Sequence, residues 1–304
     1  MPRDENYQDV IHVVCAADPR YSTYAGIVMQ SIVGRKTTGS IHFHLLSDGI
    51  AISEINKFKR IADQNNCLFS SYDIARRLNE LSFSSKLANH LSRTAYARIF
   101  FEAFLPDSVH RIIYLDCDII CQEDISRLWE KTEGIKLLGA VTDPWLNQDE
   151  LLKASLGIAK GANYYNSGVL VINVDEWKKS GAESRLKKYI LDNGWVKHAD
   201  QDAINAVFAN EIEYIDSKWN TLIDLPDKYN EAAALEAAAL IHFVGGFKPW
   251  HFGYGIIHPA KYKIYKKFKV ASPWKHTMPD LHINRFFRKF KMIRRPLTGG
   301  SKTS

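Results

Sequence analysis

The chain has 304 residues, 46% hydrophobic and 24% charged. A chain of that length buries about three quarters of its unfolded surface, which excludes a disordered, collagenous or disulfide-stapled protein. Its net charge of +6 is uneven: residues 260–304 hold 13 Lys/Arg against one acid, Asp280, while the rest of the chain carries an excess of acids. The polar stretch Met1–Val10 predicts no secretory signal, and no apolar run approaches the roughly 20 residues of a membrane helix. Cys15, Cys67, Cys117 and Cys121 form no CxxC pair and read as reduced, buried thiols of a cytosolic protein.

Apolar runs of strand length alternate with helical patterns. Ile11–Ala17 predicts the first strand and Tyr24–Val33 the first helix, and Ile41–Leu46 with Ile52–Ala62 repeats the pair. Thr94–Leu105 has helical spacing, and a strand runs from Ile112 to Leu115 and on to Ile120. Leu137–Val141 and Gly168–Val174 predict further strands; Trp177–Leu191 and Ala203–Phe208 predict helices. Glu231–Leu240 reads as a short helix and Leu240–Val244 as a last strand. This alternation predicts an α/β fold whose mostly parallel sheet is covered on both faces, with ligands beyond the carboxyl ends of the strands. The junction Ala16–Tyr21 is neither GxGxxG nor GxxxxGK[ST], and neither motif occurs elsewhere, which argues against NAD enzymes and P-loop NTPases.

Chemistry concentrates at the ends of these runs. In RIIYLDCDII, Asp116 and Asp118 end an apolar strand two residues apart, a spacing that points both to one face. Two carboxylates so placed suit a hard divalent cation; read alone, one would cap the following turn and the other would be solvated. His242 in ALIHFV is a third ligand for such an ion, or a core histidine satisfied by a carbonyl. Gly245 and Gly246 permit close backbone approach to a ligand, and Lys248 can place a charge on a phosphate. Asn166 suits a polyol or a turn, Asp200 a sugar or a helix N-cap, and Arg98 an anion, a sugar oxygen or solvent.

AADPRY, HLSRTAYAR, YLDCDII, YYNSGVLVINV, ADQDAIN and HFVGGFKPWH occur in this order along most of the chain. Together they resemble glycosyltransferase family 8, in particular its bacterial lipopolysaccharide and lipooligosaccharide hexosyltransferases. The resemblance implies a GT-A fold, with a Rossmann-like mostly parallel sheet flanked by helices. It implies a UDP-hexose donor, galactose or glucose, transferred with retention and with Mn2+ (or Mg2+) as cofactor. On this sequence Asp116, Asp118 and His242 correspond to metal ligands. Ala16, Asp18 and Tyr21 would hold the uridine, His90, Gly245 and Lys248 the diphosphate, and Arg98, Asn166 and Asp200 the sugar hydroxyls. Gln201 would lie beside the anomeric carbon and, with Asp200, make the catalytic pair. Arg20 stands where galactosyltransferase-type members often have Asn.

The expected organisation is a catalytic domain over 1–259 and a basic, aromatic tail over 260–304. In the tail Phe286, Phe287, Phe290 and Ile293 follow helical spacing among Arg288, Lys289, Lys291, Arg294 and Arg295. That pattern suits a helix lying on an anionic membrane surface rather than nucleic acid, since the body is acidic. The expected partners are therefore a UDP-sugar, a lipid-anchored oligosaccharide acceptor and the inner face of the plasma membrane. A sugar-nucleotide nucleotidyltransferase, or a sugar-binding protein acting through the basic tail, are the other readings.

Overall fold

The computed structural model describes residues 10–35, 39–79, 93–193, 198, 200–223, 231–282 and 287. In chain order its elements are β1 (Ile11–Ala17), α1 (Ser22–Val33), β2 (Ile41–Ser47), α2 (Ile52–Gln64), β3 (Leu68–Asp73) and α3 (Ala75–Asn79). After two 3-10 helices, Arg93–Ile99 and Phe101–Ala103, come β4 (Arg111–Leu115), β5 (Ile119–Cys121), α4 (Ser126–Lys131), β6 (Leu138–Thr142) and α5 (Glu150–Ser155). β7 (Tyr165–Asn173) leads into α6 (Val174–Lys179), α7 (Ala182–Asn193), α8 (Asp200–Phe208) and β8 (Ile212–Tyr214). The chain continues through β9 (Thr221–Ile223), α9 (Glu231–Ala237), β10 (Leu240–Phe243), α10 (Tyr254–Ile257) and α11 (Pro259–Ala271).

The central sheet has the order β3-β2-β1-β4-β7-β6-β8. It is parallel from β3 to β4, β7 runs antiparallel to both its neighbours, and β8 is parallel to β6. Near-continuous apolar strands are what a sheet covered on both sides requires. One face buries Val14, Tyr114, Leu170 and Ile172 against Phe100, Phe101, Trp177 and Phe208. The other buries Val13, Phe43, Ile113 and Val171 against Val28, Ile32 and Phe58. A three-stranded sheet, β5-β10-β9, stands at the end of this frame.

Several expectations need correction. The strand expected from Ile112 to Ile120 stops at Leu115, and Ile119–Cys121 pairs antiparallel with β10 in the small sheet. Asp116 and Asp118 therefore lie in the crossover between two sheets, not on one face of a strand. Leu240–Phe243 likewise belongs to the small sheet. Thr94–Leu105 forms 3-10 rather than α-helical turns. The helix expected over Trp177–Leu191 is divided at Gly181, whose φ of 61° ends α6. Only Cys121 of the four cysteines is fully buried; the others are half-buried.

The charge boundary at residue 259 is not a boundary in packing. Tyr265 and Phe268 of α11 are buried, and the indole of Trp274 lies over α1 at Gly26, where an added Cβ would come within 2.1 Å of it. Residues 283–286 and 288–304, with most of the expected membrane helix, lie outside the described residues. Among the described residues no helix is long and apolar enough to cross a membrane.

Candidate active site

The crossover after β4 is pinned at both ends. The Asp116 N–H donates to the Gly168 carbonyl (2.9 Å), and the Phe243 N–H donates to the Asp118 carbonyl (3.0 Å). One acid thus hangs from β7 and the other from β10. β7 bulges here: Ala140 of β6 pairs with Leu170, whereas Val141 pairs with Asn166. Bulges re-aim side chains beside functional sites, and this one turns Asn166, Ser167 and Gly168 toward the acids. Gly168 faces the His242 ring so closely that a Cβ would lie 2.2 Å from Cε1.

Asp116, Asp118 and His242 thereby converge, each offering a ligand atom within 4.8 Å of the others. His242 Nε2 is 3.0 Å from Asp118 Oδ1, and Lys248 Nζ is 2.6 Å from Oδ2. Lys248 also donates to the Phe243 carbonyl. On the other flank Arg98 reaches Asp116 Oδ1 (2.7 Å), Asp200 Oδ2 (3.0 Å) and the Ser167 carbonyl. Burial raises the Asp116 carboxyl above its ordinary value, against the pull of Arg98. Burial works the same way on Asp118, but Lys248 and His242 overcome it and hold that carboxyl low.

The ring orientation of His242 is set from behind. Asn220 Nδ2 donates to Asn166 Oδ1 (2.8 Å), so Asn220 Oδ1 is an acceptor, and it lies 2.9 Å from His242 Nδ1. Nδ1 therefore carries the proton and Nε2 faces the two acids, the arrangement of a metal-ligating histidine held by a second partner. Two carboxylates and one imidazole so oriented fit a hard divalent cation that keeps open positions for other oxygen ligands.

Gln201 is held at both ends of its amide. Oε1 accepts from Asn166 Nδ2 and from the Ser167 N–H, both at 3.1 Å; Nε2 donates to Asp143 Oδ2 (3.3 Å) and to the Tyr164 hydroxyl (3.4 Å). Asp200 accepts from Ser167 Oγ (3.0 Å), and burial raises its carboxyl to about 6 against the pull of Arg98. Arg98 is not a solvated side chain: it is 4% exposed. Asp18 Oδ1 accepts the Arg20 and Tyr21 N–H groups, while Oδ2 pairs with the Arg20 guanidinium (3.1 Å). Tyr21 stays partly exposed, edge-on to Tyr24 and Trp250. Ala16 is buried and its carbonyl accepts from Cys117 Sγ; Gly245 is half-buried beyond β10. His90 lies outside the described residues.

Sequence reasoning passed over Asp143 and Asn220, and it marked the segment that holds Tyr164 without giving that residue a role. Asp143 follows β6 directly, where ligand-facing residues of an α/β sheet belong, so its position was a usable signal. Asn220 had none, because it ends a short polar 3-10 segment, Ser217–Asn220, without periodicity.

The glycosyl transferase family 8 model matches residues 12–253 of this chain. General stress protein A of Bacillus subtilis (strain 168) is 27% identical over 260 residues, which cover 80% of this chain and 88% of that protein. Lipopolysaccharide 1,2-glucosyltransferase of Escherichia coli (strain K12) is 25% identical over 283 residues, covering 90% and 82%. Among solved structures the galactosyltransferase LgtC, in complex with donor and acceptor sugar analogs, matches with a TM-score of 0.74 at 22% identity over 92% of this chain and 100% of its own. That likeness shows a shared GT-A fold.

Proposed function

The chain belongs to glycosyl transferase family 8, and from that premise we propose that it is a retaining hexosyltransferase moving galactose or glucose from UDP to a saccharide acceptor. It is a glycosyltransferase by family; the UDP-hexose donor, the Mn2+ ion and an acceptor in the lipopolysaccharide core are our reading. Relatives that include lipopolysaccharide glucosyl- and galactosyltransferases support the acceptor class. The observation that carries the donor is the convergence of Asp116, Asp118 and His242 beside Lys248.

Asp116, Asp118 and His242 would hold the cation, which when bound supplies Lewis-acid stabilisation to a departing diphosphate. Lys248 brings a positive charge to the same place, where negative charge develops as the leaving group departs; Gly245 and His90 join it in our assignment. Arg98, Asn166 and Asp200 form the wall we assign to the sugar hydroxyls, and Ala16, Asp18 and Tyr21 that of the uridine. The engagement of both ends of the Gln201 amide favours a positioning role over a nucleophilic one. Asp200 is likewise committed to Arg98 and Ser167. We therefore read the transfer as front-face: the anomeric C–O bond to phosphate breaks, the acceptor oxygen adds on the same face, and its proton passes to the leaving phosphate oxygen. A glycosyl adduct trapped on Gln201 or Asp200 would overturn that step. The basic, aromatic segment 284–296 is proposed to hold the enzyme on the inner face of the membrane, where a lipid-anchored acceptor lies.

Slow hydrolysis of the donor needs no acceptor and tests the reading directly. With Mn2+, wild-type protein should release UDP from UDP-galactose or UDP-glucose; EDTA or Asp118→Ala should abolish the release. Turnover of neither donor, together with no calorimetric binding of UDP in Mn2+, would sink the proposal.

A further inference from the structure

β1 and β2 place three imidazoles together, two at the starts of the strands and one at the middle of β2. The parallel register sets His12 opposite His42, and His44 follows two residues later, a spacing that returns a side chain to the same face. Because Val13 pairs with Ile113, His12 is level with Ile112; that is four residues before Asp116, or about 13 Å at a strand rise of about 3.3 Å per residue. One ring nitrogen from each histidine lies within 4.8 Å of one from each of the others. None of the three has a part in the transfer chemistry.

We propose that His12, His42 and His44 form a second metal site, taking a borderline transition ion of the Zn2+ or Cu2+ class and distinct from the Asp116–Asp118–His242 cluster. The hydrogen bonds already divide the ring nitrogens into inner and outer sets. His44 Nδ1 meets the Tyr72 hydroxyl at 3.0 Å and His42 Nε2 meets Ser70 Oγ at 2.9 Å. His44 Nε2 and His42 Nδ1 are the nitrogens left for an ion, with Tyr72 and Ser70 orienting the rings as outer partners do in metal sites. His12 Nδ1 and His44 Nε2 stand 3.0 Å apart, a pair bridged by one proton. Two nitrogens at about 2.0 Å from a tetrahedral ion are about 3.3 Å apart, so replacing that proton needs only a small opening, with His42 turning from its 4.0 Å stack on His44. Burial lowers the proton affinity of His42 and takes His44 down to about 3. His44 is buried while His12 and His42 are half-buried, which leaves a side for entry. An all-imidazole set selects against Mn2+ and Mg2+, which prefer oxygen.

The test uses the full chain carrying Asp118→Ala and His282→Ala, which remove a ligand from each of the other two clusters among the described residues, Asp116–Asp118–His242 and His251–Asp280–His282. Calorimetric titration with Zn2+ should find one equivalent bound, undisturbed by excess Mn2+, and at least about tenfold weaker when His12→Ala or His42→Ala is added. Both positions are half-buried, and thermal melts check that the variants fold. Should either unfold, Cu2+ bound to the parent carrying Asp118→Ala and His282→Ala decides, because its electron paramagnetic resonance spectrum should show coupling to at least two nitrogens. No Zn2+ binding, equal binding in both histidine variants, displacement by Mn2+, or an oxygen-only Cu2+ spectrum would each overturn the proposal.

Discussion

Asn220 Oδ1 accepts the proton of His242 Nδ1 at 2.9 Å, and through that contact an aspartate on the far side of the site governs the ring we propose as a metal ligand. Asp143 Oδ2 accepts from Asn166 Nδ2, Asn166 Oδ1 accepts from Asn220 Nδ2, and Asn220 Oδ1 accepts from the histidine. The carboxylate can only accept, so it fixes which way each amide faces and, at the end of the chain, which nitrogen of His242 faces Asp118. The amides also bind neighbours in the wall we assign to the donor sugar, so cation and sugar would be positioned by one network.

Removing the link at Asn220 should therefore act on the cation before it acts on the fold. Asn220→Ala is expected to raise the Mn2+ concentration for half-maximal UDP-sugar hydrolysis about 10–100-fold. Asn220→Asp, which keeps an acceptor against Nδ1, should recover much of that loss. A Mn2+ dependence unchanged in Asn220→Ala would show that the contact positions nothing.

Gly168 is tested by adding one carbon. The Cβ of Gly168→Ala would stand 2.2 Å from His242 Cε1 and 2.7 Å from Nδ1, so either the ring swings away from the acids or β7 shifts. Overpacking of this kind costs about 1–3 kcal/mol. The variant should remain folded by circular dichroism, lose metal-dependent turnover, and show His242 displaced in a crystal structure. Wild-type turnover would mean that the bulge relaxes without disturbing the ligand.

The parts of this site that could be read from sequence are those where chemistry and strand pattern coincide. Ile11–Ala17 is apolar on both faces and emerged with its observed bounds, since burial leaves no other use for such a run. β3, Leu68–Asp73, escaped because an edge strand needs apolar residues on neither face, and most of its positions are exposed or half-exposed. Asp116, Asp118 and His242 are legible as residue types but their geometry is not, because a crossover between two sheets leaves no mark in periodicity. Arg98 shows the same limit, because an arginine paired with one buried and one half-buried acid looks in sequence like one in water. Gly181 shows it for helices: spacing carries across the break, and only a positive φ reveals it.

Trp274 tests how far the packed body extends into the basic segment. Its indole is 2% exposed, lies edge-on to Phe58 and donates from Nε1 to Glu54 Oε2 at 2.7 Å. Trp274→Ala should lower stability by about 3–5 kcal/mol, the usual cost of emptying a buried aromatic site, read as a lower urea midpoint. Donor turnover per folded molecule should stay the same, because the indole touches none of the site residues. A midpoint within error of wild type would make the charge boundary at residue 259 a structural one after all.

Asp200 gives the protein a pH dependence whose sign follows from its surroundings. Burial takes its folded-state carboxyl to about 6, with Arg98 opposing and Asp116 adding to the rise. The unfolded chain returns the group to its ordinary value near 3.8. A folded value above the unfolded one means that its contribution to stability is fully present below about pH 4 and is lost as pH rises through about 6. The difference of about two units corresponds to about 3 kcal/mol. The measurement is the urea-unfolding free energy of wild type minus that of Asp200→Asn between pH 4 and 7. That difference should fall across the window and then level off, because the amide cannot ionise. The ionised form is also the stronger acceptor for Arg98 and for the sugar hydroxyls we assign to this wall, so the donor KM should rise as pH drops below about 6. A flat stability difference would show that Arg98 and Ser167 already keep the carboxylate ionised at acid pH, and the KM change would then be absent as well.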